Sequence, residues 1–194
     1  MDTMIYPWGP CLMKQTVTPS IVNNFLKSYK HQSNNELPVP PILRIERRDQ
    51  FTPKSMEELY PLLSSYVDNY LEAIGMKVPH TLKNMWVNVY KENQSINPHI
   101  HTGSDLAFSL YIKTPPEIKK DPIKNAGCII FTHGDPVGYR SLELKIVEHI
   151  IQPEIGDIFI FPSNLKHYTI PFKTPGIERI CVSGNISLNV PNEY

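Results

Sequence analysis

Apolar positions along the chain switch period once, near residue 83. From Ser20 to Tyr29, Ile21, Phe25 and Leu26 fall on one side behind Thr18 and Pro19, a pair suited to capping and opening a helix whose first amides lack partners. From Ser55 to Ile74, Met56, Leu59, Leu62, Leu63, Val67, Leu71 and Ile74 form a three-four stripe behind Thr52-Pro53 and ahead of Gly75, which predicts a second amphipathic helix. Pro61 falls inside that stripe, so Ser55 to Tyr60 is expected as a separate turn or kinked first segment. Between the helices, His31 to Pro41 is polar and then proline-rich, an extended connector. Beyond Lys83 come short β-rich runs: Asn84 to Tyr90, Asp105 to Ile112, Gly127 to Phe131, Leu142 to Ile151, Asp157 to Phe161, Tyr168 to Pro171 and Ile177 to Ser187. With turn signals between them, they predict an antiparallel sandwich or partly open barrel, one of its sheets covered by the N-terminal helices. One domain is expected over 1–194, with residues 1–82 helical and connecting and 83–190 forming the β core.

Composition narrows the function classes. At 194 residues and 41% apolar, the chain can build one core without disulfides or metal staples. Its 19 basic residues cancel its 19 acidic ones, which argues against a dedicated nucleic-acid module or attraction to anionic lipid. Cys11, Cys128 and Cys181 are odd in number, far apart and without a C-x-x-C pair, so neither a disulfide framework nor a cysteine zinc site is expected. No apolar run approaches the ~20 residues that span a bilayer, and Asp2 and two early prolines break up the start of the chain. A soluble cytoplasmic protein is expected.

The chemistry concentrates in P-H-I-H-T-G-S-D, where His99 and His101 alternate and so share a face in extended backbone. A turn at Gly156-Asp157 leads into a buried strand and Pro162, and His167 follows, a third imidazole able to complete a facial set. Imidazoles suit iron, copper, nickel or zinc, and non-haem iron commonly leaves positions open after three protein ligands. The two-His-one-carboxylate form would need an acid where His101 stands; Asp105 is the alternative ligand, its other role being a turn cap. Twelve residues after His167, Arg179, Cys181 and Ser183 alternate onto one face. An inward arginine needs an anion: either a dicarboxylate chelating the metal at its other end, or an Asp or Glu of the chain. Tyr90 and Tyr111 are candidates to hydrogen-bond such a ligand, Asn88 and Asn185 to orient it or a metal ligand, and Trp86 to pack beside them. Lys119, Lys120 and Lys124 could meet an anionic partner but read first as a solvated loop, while His31, His80, His133 and His149 do not cluster.

Taken in order, M-W-V-N-V-Y, P-H-I-H-T-G-S, L-A-F-S-L-Y-I, P-E-I-G-D-I-F-I-F-P-S-N-L-K-H and E-R-I-C-V-S-G-N-I resemble the 2-oxoglutarate and iron(II)-dependent oxygenases of bacteria and their phages, distantly similar to prolyl 4-hydroxylases. The resemblance covers Met85 to Asn189. It implies a mainly β fold, a cupin-like double-stranded β-helix or jelly roll, with N-terminal buttressing helices. It further implies Fe(II), 2-oxoglutarate and O2 as cofactors and hydroxylation with release of succinate and CO2. His99, His101 and His167 match the family's metal-associated histidines, and Arg179 the residue receiving the distal carboxylate of 2-oxoglutarate, with Ser183, Tyr111, Tyr90, Asn88 and Asn185 around it. The H-x-H variant occurs in the wider group. The strand that often reads S-G-V-Y-Y is here Ala107-Phe108-Ser109-Leu110-Tyr111, so Phe108 is expected to narrow or reshape the cleft. The expected partner is an unidentified small-molecule or protein substrate, with no nucleic acid and no membrane, and a homodimer is compatible. The alternatives are a cupin-like three-His dioxygenase independent of 2-oxoglutarate and a nonenzymatic jelly-roll binding or structural protein.

Overall fold

The computed structural model describes residues 3–5, 11–30, 43–44, 47–133 and 147–190. Its elements are β1 (Thr3–Ile5), β2 (Leu12–Thr16), α1 (Pro19–Lys30), β3 (Leu43–Arg44), β4 (Arg47–Gln50), α2 (Pro53–Leu59), α3 (Pro61–Ala73), β5 (His80–Tyr90), β6 (Ser95–Ile96), β7 (Leu106–Lys113), β8 (Ile129–His133), β9 (Val147–Ile151), β10 (Asp157–Pro162), β11 (Lys166–Thr169) and β12 (Arg179–Leu188). The break at Pro61 is there. Thr52 Oγ1 accepts from the Ser55 amide to start α2, and the chain restarts as α3 at the proline, which cannot donate back along the helix. Gly75, at φ 75°, then ends α3, with the Met76 amide reaching back to the Leu71 carbonyl.

Every paired strand is antiparallel, and the major sheet runs β1-β2-β10-β7-β12-β5-β4. Its central strands β10, β7 and β12 and the second half of β5 are buried on both faces, so alternation divides their side chains between two apolar layers. Met85, Val87, Val89, Leu110, Ile158, Ile160 and Val182 pack under Phe25, Leu63, Val67 and Leu71 of the helices. Tyr90, Tyr111, Phe159, Phe161 and Cys181 point the other way, toward Ile129 and Phe131 of the smaller sheet β11-β8-β9. The fold is therefore a two-layered, mainly β jelly roll buttressed by helices on its outer face. Strand bounds move by a few residues from those expected. Of the Leu142 to Ile151 run, only β9 is described; 142–146, and the expected connector at 31–41, lie outside the described residues.

One expectation is overturned. Phe108 belongs to the helix-side layer, and its ring lies over Gly184 of β12, where an added Cβ would sit 2.4 Å from it. Residues 107, 109 and 111 take the inner face, so Phe108 does not narrow the cleft.

Candidate active site

The segment after β6 runs antiparallel to the entry into β11. His99 and His167 exchange both backbone hydrogen bonds at 3.0 Å, and the His101 amide donates to the Ser163 carbonyl. That register places His99 and His167 opposite each other, with His101 two residues on along the same face. Their ring centroids lie 4.3 Å (99–167), 5.1 Å (101–167) and 5.4 Å (99–101) apart. One ring nitrogen from each lies within 4.8 Å of the others.

Each Nδ1 is already committed to an oxygen that can only accept: His99 to the Asn97 carbonyl at 2.9 Å, His167 to the Leu165 carbonyl at 2.9 Å, His101 to Asn185 Oδ1 at 2.5 Å. Nδ1 must therefore carry the proton, which leaves three bare Nε2 lone pairs. Burial keeps the rings neutral. Desolvation lowers the pKa of His99, lowers that of His101 to about 4 against the pull of its Asn185 bond, and puts His167 well below the ordinary value; the charge of Arg48 adds to the effect at His99 and His101, and neighbouring imidazoles add to it at His101 and His167. Trp86 stacks on His101 at 5.6 Å, and Phe161 meets His167 edge-on at 4.8 Å.

The rings open onto a cavity of about 320 Å³ between the sheets, also lined by Asn88, Tyr90, Tyr111, Ser183 and Asn185. Arg179 is on the cavity side of β12 but does not reach the cavity surface. It is 0% exposed, with its guanidinium 4.1 Å over the Tyr90 ring and 5.9 Å from that of Tyr111. Nη1 donates to the Gly127 carbonyl, whereas among the described residues Nε and Nη2 have no hydrogen-bond partner and no carboxylate pairs with the guanidinium. Asn88 Nδ2 lies 3.5 Å from Ser183 Oγ, and burial raises the phenol pKa values of Tyr90 and Tyr111.

Asp105 is not part of this group. Its Oδ2 accepts from the Leu188 amide at 2.8 Å, the capping role rather than that of a ligand. Nor do the loop lysines line the cavity, and Lys119 pairs with Glu154 at 2.6 Å. His80 lies between Tyr60 and Asp68 at the start of β5, and His31 is outside the described residues.

Residues 84–185, just over half the chain, match the family described as "putative 2OG-Fe(II) oxygenase". The chain belongs to that family. This oxygenase uses Fe(II) and 2-oxoglutarate. No curated protein matches it. Among solved structures it is similar to a prolyl-4-hydroxylase of Pseudomonas putida (TM-score 0.63, 14% identity, 91% of each chain). It is also similar to a Trichoplax adhaerens prolyl hydroxylase held with a hypoxia inducible factor peptide (0.61, 15%, 93% of this chain and 83% of that one). A third is the α-ketoglutarate-dependent epimerase SnoN of nogalamycin biosynthesis (0.65, 14%, 91% and 78%). At these identities the likeness speaks for the fold.

The oxygenase's residues fit its cofactors. Three neutral nitrogens suit a ferrous ion, and three protein donors leave positions for a chelating cosubstrate and O2. A buried guanidinium with two unmet donor atoms costs several kcal/mol unless an anion reaches it, and a dicarboxylate can supply one. Among the cavity residues that the sequence reading missed, the charged one is Arg48 of β4. Its strand, R-R-D-Q, has no apolar alternation, and only the pairing of Arg48 with Asn88 across β4 and β5 carries the side chain to the cavity face.

Proposed function

We propose that this oxygenase hydroxylates its acceptor substrate with iron held by His99, His101 and His167 and 2-oxoglutarate anchored by Arg179. The observation that carries the reading is the pairing of three bare Nε2 atoms with a buried guanidinium that no acid among the described residues neutralises. When bound, the iron and 2-oxoglutarate supply the oxidation of a C–H bond by O2, with succinate and CO2 as by-products. The protein supplies orientation and shelter. The carbonyls of Asn97 and Leu165 and the amide of Asn185 hold the three rings by their Nδ1–H groups, so that each Nε2 points into the cavity. Trp86 and Phe161 restrict ring rotation and exclude water. Tyr111 and Tyr90 remain protonated, so their hydroxyls can donate to the cosubstrate carboxylate, as can Ser183, while Asn88 positions Ser183. The solved relatives include enzymes named for peptide and for small-molecule chemistry, so the acceptor is a peptide side chain or a small molecule. Cys128 and Cys181 are buried free thiols, in keeping with a cytoplasmic setting, and among the described residues no helix is long and apolar enough to cross a membrane.

Anaerobic titration of the iron-loaded protein with 2-oxoglutarate tests the assignment. A visible metal-to-ligand charge-transfer band is expected. H167A should lose iron, and R179Q should keep iron but need at least about tenfold more 2-oxoglutarate. A wild-type protein that binds iron without developing the band would defeat the proposal.

A further inference from the structure

We infer that the acceptor substrate carries an anionic group, a carboxylate or phosphate, and that Arg48 binds it at the rim of the histidine cavity. The inference rests on the proposed function for what the cavity does, but its evidence is separate. Arg48 is partly buried and lines the cavity from β4, the outer strand of the major sheet. Its guanidinium carbon lies 4.5 Å from the centre of the Trp86 ring, and the same indole stacks on His101 at 5.6 Å. The cation is therefore within about 10 Å of a metal-facing imidazole. A guanidinium lying on an indole face keeps its N–H edges directed sideways, in the fork that matches a carboxylate or phosphate bidentately.

No described residue of the cavity neutralises it. Among the described residues no Asp or Glu lines the cavity, no carboxylate pairs with Arg48, and its buried Nε has no hydrogen-bond partner. Iron and 2-oxoglutarate would not neutralise it either. Their +2 and −2 cancel, the three imidazoles are neutral, and the H-x-H pair contributes no carboxylate to the metal. Arg179 and Arg48 then leave the loaded site with two positive charges. Position separates their tasks. Arg179 is fully buried against Tyr90 and Tyr111, whereas Arg48 shares the outer part of the cavity with Ile100, which is 45% exposed and offers an apolar contact. An acceptor arriving from solvent meets Arg48 and Ile100, and its charge would be drawn to that guanidinium, the one cation among the described residues lining the cavity.

Benzoate, phenyl phosphate and the neutral isostere benzamide are the probes, titrated against the full-length protein and read through tryptophan fluorescence. The titration is run with Fe(II) and 2-oxoglutarate under anaerobic conditions and again on metal-free protein. The wild type should bind at least one anion about tenfold more tightly than benzamide, and the stronger of the two identifies the group. R48Q should reduce that preference to less than twofold, and R48K, which keeps the charge, should retain part of it. Equal affinity for acids and amide in the wild type, or a tenfold preference surviving in R48Q, overturns the inference. So does loss of the iron–2-oxoglutarate band in R48Q, because Arg48 would then serve the cosubstrate. Absence of that band in the wild type would instead strike the proposed function, and the metal-free titration would still decide the role of Arg48.

Discussion

Asn185 shows how much a single side chain controls at this site. Its Oδ1 accepts the Nδ1 proton of His101, so that the ring presents Nε2 to the cavity, while Asp105, nearer in sequence, caps the end of β12. N185A should therefore weaken iron or cobalt binding by about 10–100-fold, the usual effect of losing a partner behind a metal-bound imidazole. D105A should change metal affinity by less than about threefold; competition against a chelator of known affinity measures both. A large effect of D105A with a small one of N185A would move the metal toward the acid. The histidines and Arg179 were legible because alternation and proline-bounded strands put them on one face. Arg48 was not, because nothing in R-R-D-Q announces a strand.

Elements were legible where one period ran long enough. The α3 stripe and the β10 run D-I-F-I-F-P were read close to their observed bounds, whereas β2, inside the β1 edge, and β4, at the other edge, become strands through their pairing with β10 and β5. Phe108 illustrates the strictness of the period of two. One position off Ala107 and Ser109, it faces the helices, and β12 makes room for its ring with Gly184. The G184A substitution should consequently destabilise the fold by about 1–3 kcal/mol through overpacking, seen as a lower urea midpoint with an unchanged slope. F108L in the G184A background should recover part of that loss. An unaffected midpoint in G184A would mean that the two sheet faces do not divide as described.

At the scale of the whole molecule, two sheets bury three imidazoles at the cavity between them, and that placement couples the site to global stability. The mainly β class was readable from the spacing of the runs, while the N-terminal contribution of β2 and β4 to the major sheet was hidden among polar residues. In metal-free protein, His101 titrates near 4 when folded and near the ordinary imidazole value of about 6.5 when unfolded. Across that window the unfolded chain holds more protons, so stability rises with pH and is lost as pH falls from about 6.5 toward 4. By pH 5 the contribution of His101 alone is about 2 kcal/mol, and the lowered values of His99 and His167 act in the same direction. Carboxylates that bind protons on acidification also contribute, so the informative quantity is a difference between proteins. Urea unfolding of chelator-treated wild type and H101Q at pH 7 and pH 5 should show a smaller acid loss in H101Q by about that amount. Equal losses would mean that His101 is hydrated rather than buried, and the neutral nitrogen triad would fail with it. Saturating metal should raise the wild-type midpoint at pH 7 and still do so at pH 5, because the lowered imidazole pKa values of the folded site keep protons from competing for the lone pair of His101 until nearer pH 4.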